Sequence, residues 1–256
     1  MGHASDSDLL LEYVTSTYWR TIDVLYARDL PDREPRCVVC GHGAPRDAFA
    51  RHVSECQFGG GHLERYACPV CDTVFGPLKM LDLTPAQLGL EYRALYSHYD
   101  ETNSTEFETR AFRACSPQAG GLYLNWGCGV WAETIEQLRG EGYEVWGYEP
   151  IAPSDSPHIV TREDQISAKF DGIFSNNVIE HFADPVAEFE RMRRHLKPGG
   201  VMVHASACYE LLYEDTRFHL AFYLGRSAEK LAERSGFEVI GRERDGEYIH
   251  AVFRPV

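Results

Sequence analysis

The chain has 256 residues, 44% of them apolar and 25% charged, which is enough for a full hydrophobic core and excludes a chain left disordered for want of apolar residues. Asp and Glu outnumber Lys and Arg by 39 to 25, a formal net charge of −14, so the surface is ill suited to gripping phosphate backbones. No apolar run approaches the ~20 residues that cross a bilayer and no signal-peptide pattern opens the chain, which predicts a cytoplasmic protein.

In chain order, residues 1–35 read as an N-terminal helix. Leu9, Leu10, Tyr13, Ile22 and Leu25 recur at helical spacing between residues 7 and 28, and Pro31 and Pro35 end the pattern. Such a helix packs on the next unit or on a partner chain. Residues 36–80 carry Cys37-Val-Val-Cys40 and Cys68-Pro-Val-Cys71, two Cys-x-x-Cys turns with 27 residues between them. Each turn aims two thiolates at one point, and two turns complete a four-sulfur tetrahedron. Among eight cysteines in a cytoplasmic chain, that grouping points to metal ligation before disulfides. The pattern resembles a zinc ribbon with a structural zinc on Cys37, Cys40, Cys68 and Cys71. Cys56, His42, His52 and His62 leave a Cys3His set as the second arrangement. Residues 81–118 read as a helical lid or linker, with Tyr92, Tyr96 and Tyr99 at a spacing that also suits an ordinary half-buried helix face.

Residues 119–256 alternate strands and helices. Leu122 to Trp126 is a buried strand, Gly127 and Gly129 make a tight turn, and Trp131, Ile135 and Leu138 mark a helix that Gly140 stops. A second strand ends in Glu149, 22 residues beyond Gly127, about where dinucleotide-binding folds place the carboxylate that takes ribose hydroxyls. A short strand near His158 to Val160 follows. The strand Gly172 to Ser175 then delivers Asn176 and Asn177 to the carboxyl edge, a helix runs from Pro185 to Leu196 and is stopped by Pro198-Gly-Gly200, and Val201 to Val203 is the fifth strand. A helix capped by Ser227 and ended by Gly236, then two antiparallel strands ending at Phe253, close the chain.

At Asn125-Trp-Gly-Cys-Gly129, Glu149, Phe170 to His181 and Leu196 to Val203, the sequence resembles the class I S-adenosylmethionine-dependent methyltransferases, in the family's order and spacing. The resemblance implies a doubly wound, mostly parallel seven-stranded α/β sheet, preceded here by the small zinc-binding module. It also implies S-adenosylmethionine as cofactor, held by Asn125, Gly127, Cys128, Gly129, Trp131, Glu149 and Asn176, with Tyr96 reaching in from the lid. Asn125 stands where an aspartate is usual and Trp131 where a third glycine is common. Asn125 brings no charge to the cofactor's ammonium.

Methyl transfer is an in-line displacement, so the protein aligns donor and acceptor and removes the acceptor's proton. His219 is the first candidate for the base, ahead of His181, with Glu180 orienting one of them. His219 can equally be packing among Phe218, Phe222 and Tyr223. His181 has three roles open to it: base, ligand to a cation, or a residue bonding the loop. With neutral Asn177 three residues before Glu180, the segment carries too little charge to favour a cation. Resemblance to methyltransferases encoded beside polysaccharide-biosynthesis enzymes implies a sugar or glycan hydroxyl as acceptor. A small natural product is the second reading. A cofactor-binding scaffold whose zinc ribbon or N-terminal helix recruits a protein partner is the third.

Overall fold

The structure is a computed structural model that describes residues 6–97, 103–129, 132–151 and 154–256. Helix α1 (Asp6–Asp29) precedes strands β1 (Ala50–Glu55), β2 (His62–Ala67) and β3 (Val74–Phe75), then helices α2 (Leu78–Leu81), α3 (Pro85–Tyr96) and α4 (Thr105–Ala114). Strands β4 (Leu122–Trp126), β5 (Glu144–Tyr148), β6 (Ile159–Val160), β7 (Phe170–Asn176) and β8 (Leu196–Ala205) are interleaved with α5 (Glu133–Gly140) and α6 (Pro185–Arg193). β9 (Ala221–Phe222), α7 (Ser227–Ser235), β10 (Phe237–Asp245) and β11 (Tyr248–Pro255) close the chain.

The large sheet has the order β10-β11-β8-β7-β4-β5-β6, parallel from β8 to β6 and antiparallel at β10 and β11, which is the doubly wound seven-stranded sheet expected. Alternation along its strands builds the two faces. Tyr123, Phe174 and Val203 enter one core with Phe112, Ile135 and Leu138, whereas Leu124, Ile173 and Met202 enter the other with Phe189, Met192 and Leu231. Strand order reverses between β4 and β7, and ligands of open α/β sheets bind at the carboxyl ends of such a pair.

The second sheet has the order β1-β2-β3-β9, all antiparallel. The β1–β2 hairpin fills the long interval between the two cysteine turns. β9 comes from the far end of the chain, Val74 pairing with Phe222 and Phe75 with Ala221, so the N-terminal sheet is completed by residues that follow β8. Its interior is also shared, since Phe49, Tyr66 and Phe75 belong to the same core as Phe189 and Phe237.

Several local expectations shift. Gly140 is the last residue of α5, as expected, but the left-handed residue after the helix is Gly142 at φ +93°. Pro198-Gly-Gly200 lies within β8, where the pairing with β7 jumps from Phe170↔Leu196 to Gly172↔Val201. Ser227 is the first residue of α7, and its hydroxyl donates to Cys71 O at 3.0 Å instead of capping; Gly236, at φ +76°, does end that helix. α1 docks through Trp19, 1% exposed, and through Asp23, which accepts from Lys79 Nζ at 2.5 Å. Its first half leaves Leu10 and Tyr13 63% and 68% exposed. No described helix is long and apolar enough to cross a membrane.

Candidate active site

At the end of β4 the chain turns through Gly127 and Gly129, both left-handed at φ +71° and +69°, a region that side chains with a Cβ rarely adopt. Gly127 is fixed twice over, because a Cβ there would come 2.9 Å from Val178 Cγ2. Glu149 follows β5 and is nearly buried. Its Oε2 accepts from the Gly129 N–H at 3.1 Å and its Oε1 from the Ile151 N–H at 2.8 Å, so turn and carboxylate form one unit. Cys128 turns its side chain into the core beside Ile135, so any part it has in the site is through its backbone. Trp131 lies outside the described residues, as does Tyr99.

Asn125 is buried at the end of β4, and its Nδ2 donates to Glu108 Oε2 at 2.7 Å. The carboxylate absent from position 125 is thus supplied from α4. This residue escaped the sequence reading, although Glu108, Ala111 and Phe112 share one buried helix face and a glutamate on an apolar stripe is itself a signal. Two polar atoms at this edge are buried without a hydrogen bond, the acceptor Asn125 Oδ1 and the donor Asn176 Nδ2. Such atoms are rare unless a ligand completes them. Together with the glycine turn and Glu149, they fit a ligand carrying hydroxyl, ammonium and carboxylate groups.

The segment after β7 packs directly on the glycine turn through Val178 and then makes a single helical turn, Ile179–His181. Glu180 is 2% exposed. His219 arrives from the stretch before β9, and the ligand-type atoms of Glu180, His181 and His219 all fall within 4.8 Å of one another. Burial raises the Glu180 carboxyl, against the pull of His181. Burial, with His181 adding to it, lowers His219 to about 3, so its imidazole is neutral at ordinary pH. The surroundings come from distant parts of the chain. Tyr92 of α3 meets the His181 ring edge-on at 5.6 Å and Phe218 at 4.9 Å, and Tyr96 stacks on Tyr92 at 6.2 Å, one ring removed from His181. Arg65 of β2, fully buried, donates to the carbonyls of Glu214, Thr216 and His219 and lies over the Phe222 ring. Arg217 bonds Glu91 of α3 at 3.0 Å and Phe58 O at 2.8 Å.

The four cysteines of the two turns also meet. Cys37 and Cys71 sulfurs are 3.6 Å apart, Cys40 and Cys68 sulfurs 3.4 Å, and all four lie within 4.8 Å. A tetrahedron with metal–sulfur bonds of about 2.3 Å has edges of about 3.8 Å, so the set fits one thiophilic ion. Hydrogen bonding between Cys37 and Cys71, with Thr73 adding to it, lowers Cys71 and raises Cys37, so the pair sheds its first proton readily and its second reluctantly. The substitute ligands are engaged elsewhere: Cys56 with Arg217, His52 with Glu214 and His62 with Glu55. His42 contributes its backbone N–H to Cys40 Sγ at 3.5 Å. The cluster is tied to the end of the chain. Asp72 pairs with Arg226 at 2.9 Å, and Arg234 donates to Val39 O at 2.8 Å.

The sequence profile of the methyltransferase domain family matches residues 97–241. No curated protein sequence matches the chain. Among solved structures, 1,6-didemethyltoxoflavin-N1-methyltransferase of Burkholderia thailandensis, with 1,6-didemethyltoxoflavin and S-adenosylhomocysteine bound, superposes with a TM-score of 0.55 at 14% identity, covering 80% of this chain and 99% of that one. A methyltransferase of calicheamicin biosynthesis, bound to S-adenosylhomocysteine, and an O-methyltransferase from neocarzinostatin biosynthesis each superpose with a TM-score of 0.50, at 14% and 16% identity, over 67% of this chain and 59% of theirs. At these identities the likeness is one of fold.

Proposed function

The chain belongs to the methyltransferase domain family, and from that premise we propose that it transfers the methyl group of S-adenosylmethionine to a hydroxyl of a sugar or glycan. The observation that carries this reading is the contact of Val178 with Gly127, which sets Glu180, His181 and His219 beside the turn that Glu149 braces. Bound at that turn, S-adenosylmethionine supplies an electrophilic methyl carbon and leaves as a neutral thioether. Glu149 has lone pairs enough to accept two ribose hydroxyls while keeping its backbone contacts. Asn176 Nδ2 and Asn125 Oδ1 gain the partners they lack, and Glu108 supplies negative charge behind Asn125. A sugar hydroxyl keeps its proton far above neutral pH, so a base must receive it as the oxygen attacks; the burial that lowers His219 weakens it as a base, which leaves His181, oriented by Glu180, as the better acceptor of the pair. Tyr92 packs edge-on against His181 and in turn on Phe218, which fixes the ring from one side.

The second reading, a hydroxyl of a small natural product, is favoured by the neighbours from calicheamicin and neocarzinostatin biosynthesis. In both readings Cys37, Cys40, Cys68 and Cys71 hold a structural zinc, since four thiolates leave no position for water or substrate. Residues 36–80 are the zinc-holding unit, completed by β9, and 81–118 are the lid.

Mass spectrometry after incubation with labelled S-adenosylmethionine and panels of sugars, glycans and small phenols or alcohols tests the reading. A labelled sugar or glycan is expected, and at least one of His219→Ala and His181→Ala should lower turnover by roughly 10²–10⁴ while cofactor affinity holds. Label on phenols alone selects the second reading. A parent protein that binds the cofactor and methylates nothing overturns both in favour of a scaffold.

A further inference from the structure

Polar atoms buried without a partner gather on one face of the large sheet. Asn176 of β7, Ala205 of β8 and His250 of β11 stand side by side in register, so their side chains share that face at its carboxyl edge. It is the face of Phe174, Val203 and Tyr248, on which α4 packs through Ala111 and Phe112, and Asn125 lies on it opposite Glu108. Here Asn125 Oδ1, Asn176 Nδ2, Tyr248 Oη and His250 Nδ1 are buried with no hydrogen bond. Thr105 Oγ1 and Thr109 Oγ1 share that condition, one turn apart on the stripe of α4 that carries Phe112. A buried water makes about three hydrogen bonds, so the group exceeds what a single water completes. Once a cofactor takes Asn125 and Asn176, Thr105, Thr109, Tyr248 and His250 remain.

Those four side chains are three hydroxyls and an imidazole, which burial holds toward its neutral form against the pull of Glu243. Hydroxyls and neutral imidazole both give and accept hydrogen bonds, as the hydroxyls of a sugar do. Arg110 lies over the Tyr248 ring at 3.9 Å and is already paired with Asp245 at 3.0 Å, so its charge is answered within the chain. A carboxylate or phosphate would be poorly matched here.

We propose that Thr105, Thr109, Tyr248 and His250 form a subsite for a neutral saccharide, binding hydroxyls other than the one that is methylated. The inference rests on the methyl-transfer reading and narrows its acceptor to a polyhydroxylated ring without acidic groups. The end of β8 joins the subsite to the base, because Ala205 faces the subsite whereas Ser206, on the opposite face, bonds the Glu180 carboxyl. His250 stands two strand spacings, about 10 Å, from Asn176, room for one sugar ring between them. Two of the four groups belong to α4, so its first turn moves off β11 to admit the ring and closes on it afterwards.

Thr105→Val and Tyr248→Phe each remove one hydroxyl and keep the shape of the side chain. An unpartnered buried hydroxyl costs stability, so in a denaturant titration both variants should be at least as stable as the parent. Lowered midpoints in both would show the hydroxyls to be satisfied within the chain and overturn the proposal. Initial rates are then measured with the methyl α-pyranosides of glucose, galactose and mannose, with their uronates, and with monodeoxy forms of the one that is methylated. The neutral glycosides should be preferred to the uronates. Each variant should raise KM roughly ten- to hundredfold, more than it lowers kcat, and one deoxy form should be insensitive to each variant because it lacks the hydroxyl that the side chain binds. Saccharide methylation with KM unchanged in both variants, or faster on the uronates, overturns the subsite and leaves the methyl-transfer reading standing. A panel in which no saccharide is labelled overturns the subsite as well; label on a phenol then keeps methyl transfer, whereas a parent that binds no S-adenosylhomocysteine removes that reading too.

Discussion

Two clusters of ligand-type side chains lie in this molecule, and they are built in opposite ways. The cysteine cluster is made of two local turns, each contributing a Cys-x-x-Cys pair, and its four sulfurs close on one point. The Glu180–His181–His219 cluster has one local pair and one residue 38 positions on, and Val178, two residues before Glu180, packs on Gly127. Sequence spacing exposes the set fixed by turns, whereas the pairing of β9 with β3 beside His219 leaves no signature in spacing. The two are nonetheless mechanically joined. The turn that holds Cys68 and Cys71 runs straight into β3, which pairs with β9, and Gly76 N donates to Leu220 O at 3.0 Å, one residue beyond His219.

That joint makes the largest prediction. Cys68→Ser should lose the zinc and, by loosening β3 and hence β9, lower turnover by roughly 10²-fold, as a displacement of about 1 Å does, while cofactor affinity changes little. Metal analysis with steady-state kinetics and calorimetry checks it. Full turnover after loss of zinc would show the clusters to be mechanically independent. Arg65→Met comes next. It leaves the carbonyls of Glu214, Thr216 and His219 without their donor, which should cost about 1–3 kcal/mol in a denaturant titration, and turnover should fall further than that loss explains. Unchanged kinetics would place the bracing of His219 elsewhere.

The smallest effect belongs to the cofactor side. Asn125→Asp restores the residue usual in the resembling family but sets a second carboxylate against Glu108, so one of the pair must keep its proton. A carboxyl whose pKa is raised by folding contributes stability below its unfolded pKa and loses it as pH rises. Relative to the parent, the variant should therefore lose about 1–2 kcal/mol between roughly pH 4 and pH 7. Adding Glu108→Gln should recover it. A loss independent of pH would mean that like charge is not the cause.

How much of this was legible follows the same division. The glycine turn, Glu149 and Asn176 were readable because strand, turn and helix lie together in sequence and the 22-residue step to Glu149 is one βαβ unit. Glu180 and His181 were readable as part of the segment following β7. Their meeting with His219 was expected from the order in which the resembling family uses its segments, but the pairing of β9 with β3 beside it had no signal in the sequence. Arg65 stands 154 residues from the carbonyl it holds at 3.1 Å, and no periodicity spans that interval. Ser227 read as a cap because serine begins so many helices, whereas it is the first residue inside α7 and its hydroxyl donates to the carbonyls of Leu224 and Cys71.

The central claim is that the turn at Gly127 and Gly129, braced by Glu149, holds S-adenosylmethionine. Titration calorimetry of S-adenosylhomocysteine into the parent and into Glu149→Ala tests it most directly. Removing an acceptor of two ribose hydroxyls should cost about 1.5–3 kcal/mol, roughly a tenfold to hundredfold loss of affinity, with the fold intact by circular dichroism. Equal affinity in the two proteins, or no binding by the parent, would contradict the account.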